Sequence, residues 1–268
     1  MALHIIVCIK QVPDTAELPK IDPAKAMAGD EGVTRVVNPW DEYAIEEALR
    51  LKEKHGGKVT ALTMGPERAV EALRKAVSMG ADEAILLDDP AFVGSDAGAT
   101  AYILAGAIRK IGAYDLILCG KQSVDGDSGQ VAPAIARHLR IPQLTFVAKI
   151  RALDATARTI TVERLLEEGR EVVLAPLPAL LSVVKEINEP RYPAFLLIRK
   201  AAKLQPPVWG MKELGLDPAR VGQQGSATRW SDLRKPLARA TQCEIIEGAT
   251  AAEKAAQLAD RLLAEKVI

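Results

Sequence analysis

The stretch Gly120–Gln130 (GKQSVDGDSGQ) concentrates residue types suited to holding phosphate. Gly120, Gly126 and Gly129 remove side chains where a backbone can approach a ligand, and a helix N-terminus just downstream offers free N–H groups and the positive end of a dipole. Ser128 and Gln130 add neutral donors. Asp125 and Asp127 would repel a phosphate that they faced, so they hold the turn, bond a ribose or point to solvent. The same residues also make an ordinary Gly/Asp turn capped by Ser128, and spacing alone does not choose between turn and nucleotide cradle. Neither G-x-G-x-x-G nor G-x-x-x-x-G-K-[ST] occurs, so a dinucleotide fingerprint and a Walker loop are both absent.

No catalytic constellation accompanies this loop. His4, His55 and His138 are scattered and read as structural or solvated. Cys8, Cys119 and Cys243 lie far apart without C-x-x-C spacing, which argues against zinc and disulfides and for a reducing, cytoplasmic setting; they read as core residues. G-x-S-x-G is missing as well. Redox work by such a chain would belong to a bound cofactor. The 35 Lys+Arg balance the 35 Asp+Glu, and with only 4% aromatic residues this excludes a phosphate-tracking or base-stacking nucleic-acid binder. Locally the balance breaks: between 185 and 203, Lys185, Arg191, Arg199, Lys200 and Lys203 outnumber Glu186 and Glu189, which suits an acidic partner protein.

The elements that must position the loop can be read from apolar runs. His4–Ile9, Val59–Met64, Ala84–Leu87, Leu116–Cys119 and Leu144–Val147 are continuous and apolar, as in strands buried on both faces. Between them, Ala44/Ala48/Leu51, Val70/Leu73/Val77, Ala97/Ala101/Leu104/Ile108/Ile111 and Val131/Ile135/Leu139 recur at helical spacing. Asn38-Pro39 predicts an N-cap followed by N1, with Asp41 as a first-turn charge, and Gly65-Pro66 opens the second helix. The alternation predicts an α/β, doubly wound, mostly parallel sheet, with ligands at the carboxyl ends of its strands. Four loops leave at that edge: Lys10–Thr15, Met64–Pro66, Gly94–Asp96 and Gly120–Gln130. The first run is too short to span a membrane and lacks the flanks of a signal peptide, so no membrane insertion is expected.

After about Ile150 the pattern changes. Thr159–Arg164 and Glu171–Leu174 predict an antiparallel hairpin, and Ala179–Val184 another buried strand. Beyond Asn188 prolines and polar stretches such as Gly222–Thr228 dominate, followed by a narrow stripe of Ala251, Ala255, Leu258 and Leu262 in a last helix. An extended arm around a partner and a segment packed on its own domain both suit such a tail. The expected division is 1–187, an α/β nucleotide-binding domain, and 188–268, a partner-recognition segment and arm.

Taken together, Val7–Asp14 (VCIKQVPD), Asn38–Asp41 (NPWD) with Tyr43–Leu49, Met64-Gly65-Pro66, Met79–Asp82 and Gly120–Gln122 with Asp125–Asp127 closely resemble the β subunit of electron-transfer flavoproteins. The resemblance continues through Val162–Arg164, Glu167–Glu171 and Leu177–Leu181, which look like the family's signature segment, with Ser182 where that signature usually has Thr, Ala or Cys. Asn188–Tyr192 is similar to the start of the family's partner-recognition segment.

The resemblance implies an adenine-nucleotide-hydrolase-like α/β fold with a β-hairpin addition, and a heterodimer whose α subunit carries FAD and is embraced by the C-terminal arm. The β subunit's own nucleotide is AMP in one type and a second FAD in the electron-bifurcating type. Asp125–Val131 followed by Ala132-Pro133 is closer to the bifurcating pattern, with Ser128-Gly129 and Ala132 as departures. By resemblance, adenine and ribose contacts fall to Cys8, Asn38, Asp41 and Met64, and phosphate contacts to Gln122, Gly126, Asp127, Ser128, Gly129, Gln130 and Val131. Lys10, Gly94, Thr100 and Asp125 complete the cofactor-binding set, with no catalytic or metal-binding residues. Arg191, Tyr192 and Phe195 would meet a partner, and Phe195 is the expected apolar anchor unless the heterodimer itself buries it. The bifurcating type oxidises NADH, as the αβ complex only, and feeds a low-potential acceptor such as ferredoxin or flavodoxin; the AMP type shuttles electrons between acyl-CoA-type dehydrogenases and a quinone reductase. A stand-alone nucleotide-binding regulator or adenylating enzyme is disfavoured by the absence of a Ser-Gly-Gly-x-Asp-Ser loop.

Overall fold

A computed structural model describes residues 2–22, 32–229, 234 and 243–267. β1 (Leu3–Cys8) pairs in parallel with β4 (Gly57–Met64) on one side and β6 (Leu116–Gly120) on the other. From β4 the sheet runs outward through β5 (Glu83–Leu87) to β11 (Val208–Trp209). From β6 it runs through β10 (Ala179–Val183) to β7 (Gln143–Asp154), β8 (Thr159–Leu166) and β9 (Gly169–Pro176), the last three antiparallel. A two-stranded ribbon, β2 (Gln11–Pro13) with β3 (Arg35–Val37), leaves the end of β1.

Strand alternation divides the core in two. Ile5, Val7 and Ile9 face α1 (Pro39–His55) and α2 (Val70–Met79), joining Ile45, Leu49 and Leu73. Ile6 and Cys8 face α3 (Ala97–Ile111) and α4 (Val131–Leu139), joining Ile103, Ile108 and Ile135. Each fully buried aliphatic side chain contributes roughly 1.5–3 kcal/mol. Both faces are therefore covered, as the continuous apolar runs require, and the fold is the doubly wound α/β type. Strand order reverses at β1, whose successors lie to opposite sides, so the crevice between the ends of β1 and β6 is the switch point where ligands bind in open sheets.

Three local expectations are corrected. Leu144–Val147 is not buried on both faces: it begins the long β7, which pairs with β10 and then turns out to β8, leaving Phe146 exposed at φ 57°. The second helix starts later than Gly65-Pro66, because a 3₁₀ turn (Glu67–Ala69) intervenes. Cys243 is exposed rather than a core residue.

Two compact units are present, Met1–Leu233 and Arg234–Ile268. The described stretch from 188 to 229 thus belongs with the sheet. It carries α5 (Phe195–Ala201), β11 on the sheet edge, and the short helices α6 (Met211–Leu214) and α7 (Gly222–Gly225). Within the second unit, α8 (Ala251–Ala264) starts at Thr250, whose side chain accepts from the Glu253 N–H, and has no buried residue. No described helix is long and apolar enough to cross a membrane.

Candidate functional site

β1 and β6 end in register, Cys8 beside Cys119. The two cysteines are distant in sequence but neighbours in the sheet, both buried on the α3/α4 side. A hydrogen bond shared with Cys8, reinforced by burial, pushes the Cys119 thiol well above its ordinary pKa. The buried pair makes an apolar floor to the crevice, and the Cys119 thiol, held protonated, is not a nucleophile.

Above that floor, α1 delivers two buried polar side chains to the lip. Asp41 Oδ2 accepts from the Lys10 N–H at 2.8 Å and Oδ1 from the Gly120 N–H at 3.1 Å, clamping the ends of β1 and β6 to one carboxylate. Burial pushes Asp41 up to about 7, against the hydrogen bonds from Lys10, Asn38 and Gly120 that oppose the rise. Asn38 Nδ2 donates to the Gln122 carbonyl at 2.8 Å, and its Oδ1 accepts from the Val124 N–H at 3.1 Å. Asn38 does occupy the N-cap position, yet its side chain makes no cap bond; it serves the crevice loop instead. Asp41 does fall in the first turn, and it also acts as a long-range backbone acceptor. Both residues shape the lip, which the N-cap reading of the sequence did not anticipate.

The loop itself separates two reasons for glycine. Gly129 sits at φ 62°, a left-handed backbone that glycine tolerates best. A Cβ on Gly126, by contrast, would meet only Ser123 Oγ, at 3.5 Å, among the described residues, and its φ is unexceptional, so nothing described within the chain requires glycine there. Among the described residues, the N–H groups of Gly126, Ser128 and Gly129 meet no acceptor, while the Asp127 N–H returns to the Ser123 carbonyl at 2.9 Å. Asp127, itself at φ 50°, accepts from Gln122 Nε2, so it holds the turn. The loop ends at Gln130, N-cap of α4, whose half-buried Val131 begins the helix. Open backbone donors on an unobstructed Gly-rich turn at a helix N-terminus fit a phosphate or pyrophosphate.

Lys10 extends from the other side of the crevice and pairs with Asp125 at 2.7 Å. Met64, half-buried at the end of β4, lies along the same edge of the sheet. Gly94 and Thr100 flank Asp96 after β5, where the Thr100 N–H donates to the Asp96 carbonyl at 2.9 Å. Asp96 caps α3 through the Ala99 N–H and also accepts from the N–H groups of Ala227 and Thr228, and Gly94 is packed against Gln223. No described hydrogen bond joins this group to the Gly120–Gln130 loop. The 222–228 stretch, read from the sequence as part of a polar tail, therefore closes over the N-terminus of α3. Lys121 is a further residue that the sequence did not single out: its ammonium lies 4.9 Å from the Trp40 ring and 5.9 Å from that of Phe146, held by cation–π attraction.

In the partner segment, Arg191 turns inward. Its Nε donates to Glu46 Oε2 at 2.7 Å and its NH2 group to Glu53 at 3.1 Å, fastening 188–194 to α1. Burial alone would raise Glu46, but the bonds from Arg191 and Arg50 outweigh it and hold the carboxyl below its ordinary value. Beside this anchor, Tyr192 (95%), Phe195 (74%) and Leu196 (76%) project into solvent.

Comparison with known proteins points to one family. Residues 27–211 match the family described as Electron transfer flavoprotein domain. The chain is 44% identical over 227 residues to the Electron transfer flavoprotein subunit beta of Clostridium acetobutylicum, covering 85% of this chain and 86% of that one. It is 43% identical over 268 residues to Protein FixA of Azorhizobium caulinodans, covering 98% and 93%. Identity to the Megasphaera elsdenii Electron transfer flavoprotein subunit beta is 40% over 274 residues, covering 99% and 100%. These matches along nearly its full length place the chain, with its mostly parallel sheet, in the electron transfer flavoprotein family, among the β subunits.

Proposed function

We propose that this chain is the β subunit of a heterodimeric electron carrier that binds FAD in the β1/β6 crevice, accepts hydride from NADH and passes single electrons to an α-subunit FAD and a low-potential acceptor. The observation that carries this reading is Gly126, a glycine that no packing among the described residues explains, on a loop with open N–H donors. The flavin, when bound, supplies the conversion between two-electron and one-electron transfer. The protein's part is positional. Gln122 and the backbone from Gly126 to Val131 would hold the pyrophosphate, Cys8 and Met64 would line the adenine, and Asn38 and Asp41 keep the lip in place. The exposed face of Tyr192 and Phe195 suits an acyl-CoA-type dehydrogenase, and the 188–268 region suits an arm around the α subunit, in the cytoplasm.

Mixing the purified αβ complex with NADH under anaerobic conditions tests this. Bleaching of flavin absorbance is expected. Absence of bleaching, with reduction by a dehydrogenase instead, would assign structural AMP to this crevice.

A further inference from the structure

The side of the sheet covered by α3 and α4 carries cationic groups gathered around one aromatic ring. The Arg220 guanidinium, at the end of the 3₁₀ turn Pro218–Arg220, stacks 3.9 Å from the centroid of the Tyr102 ring on α3. The His138 ring of α4 meets that same ring edge-on at 5.7 Å, and Arg109 Nη2, from the last turn of α3, donates to the His138 carbonyl at 2.6 Å. Arg137 and Arg140, both exposed, bracket His138 at the end of α4. Among the described residues no carboxylate pairs with Arg109 or Arg220, whereas Arg151, Arg158, Arg164 and Arg191 each hold one. The acidic neighbours are engaged elsewhere: Asp217 accepts from the Ala219 N–H and Glu213 from the Gly210 N–H. In a chain of zero formal net charge, guanidinium groups left without carboxylates on one face make a local positive potential that an outside anion relieves.

Two observations select the anion. The cluster spreads over the outer surface of two helices packed side by side, which suits the broad face of a protein rather than a small ligand needing an enclosing cleft. It also lies across the sheet from 188–203, which Arg191 fastens to α1 and α5 packs on α2, so the two basic surfaces can serve different partners at once. Helix α4 starts at the crevice loop, and His138 is roughly 12 Å along it from Gln130, at 1.5 Å per residue. A partner seated here stands one short helix from the crevice. We propose that Arg109 and Arg220, held around Tyr102 and His138, form a docking surface for an acidic one-electron acceptor protein, separate from the face that carries Tyr192 and Phe195. This rests on the electron-carrier reading above. Exposed charges of this kind steer encounter more than they tighten a complex, so their effect belongs in the association rate and weakens with salt.

Reduction of a flavodoxin, an acidic acceptor, by the photoreduced αβ complex tests the surface without relying on NADH. At low ionic strength Arg109→Glu/Arg220→Glu should slow the second-order rate tenfold or more, and the gap should close as salt rises. Arg109→Lys/Arg220→Lys, which keeps the charge, should stay within twofold of the parent. Reduction of a small neutral quinone and electron uptake from an acyl-CoA-type dehydrogenase should be unchanged in both variants. An unchanged flavodoxin rate in the Glu variant, or a loss shared with the quinone, overturns the proposal. Failure of the Glu variant to copurify with the α subunit also overturns it and assigns this face to the heterodimer. A parent complex that reduces the quinone but not flavodoxin overturns the docking surface alone; one that reduces neither overturns the electron-carrier reading as well.

Discussion

The Gly120 N–H donates to Asp41 Oδ1 at 3.1 Å, and the same oxygen fills the space that a side chain at position 120 would need. A Cβ there would also stand 2.6 Å from the backbone carbon of Trp40 and 2.7 Å from its Cβ. Neither backbone nor a helix-bound Cβ can give way cheaply. Gly120→Ala should therefore destabilise the chain by about 1–3 kcal/mol, the usual cost of overpacking, read as a lowered urea midpoint at constant slope. An unchanged midpoint would mean that the β6 end is not held against α1.

Asp41 makes stability depend on pH with a definite sign. Unfolded, it ionises at its ordinary 3.8; folded, it keeps its proton until about 7. In that window the native state binds the extra proton, so the stability it lends is full below the unfolded value, falls as pH rises, and is lost above about 7. The span corresponds to a contribution on the order of 4 kcal/mol at most. Asp41→Asn should unfold more readily at low pH, because one backbone donor loses its acceptor, yet lack this fall. Urea midpoints for both proteins between pH 4.5 and 8 give the comparison, and parallel curves would refute the buried carboxyl.

Arg191→Met should release the segment 188–194 from α1. Glu46, almost fully buried, loses its bonds from Nε and NH2 and keeps Arg50 and the backbone N–H of residue 191, at a cost of about 1–3 kcal/mol near neutral pH. Since Glu46 and Glu53 are held below their ordinary 4.5, the difference between variant and parent should be full above that value and shrink as pH falls. Limited proteolysis near Tyr192 should accelerate in step.

Much of the sheet was legible because strands buried on both faces leave continuous apolar runs, as at Ile5–Ile9 and Leu116–Cys119. Leu144–Val147 looks the same in sequence, but the left-handed backbone at Phe146 carries that side chain out of the core, and residue type gives no sign of it. The region 188–229 was obscure for another reason. What ties it to the sheet is ion pairing at Arg191, a two-residue strand at Val208–Trp209 and caps at Asp96, none of which has a period. The site loop was visible as a Gly/Asp cluster, whereas the roles of Asn38 and Asp41 depend on contacts some eighty residues away that local capping rules do not reach.

Phe195→Ala removes an exposed ring beside the Arg191 anchor, so the fold should not suffer. An apolar anchor in a partner's pocket is worth about 2 kcal/mol or more, and transfer to a partner dehydrogenase should slow accordingly while flavin content holds. Stopped-flow kinetics at subsaturating partner would show it; unchanged rates would remove Phe195 from the docking surface.

The central claim is that the β1/β6 crevice holds a flavin. Release of all nucleotides from the native αβ complex by denaturation, followed by chromatographic counting, addresses it most directly. Two FAD per heterodimer and no AMP is the predicted result. One FAD with one AMP would contradict it.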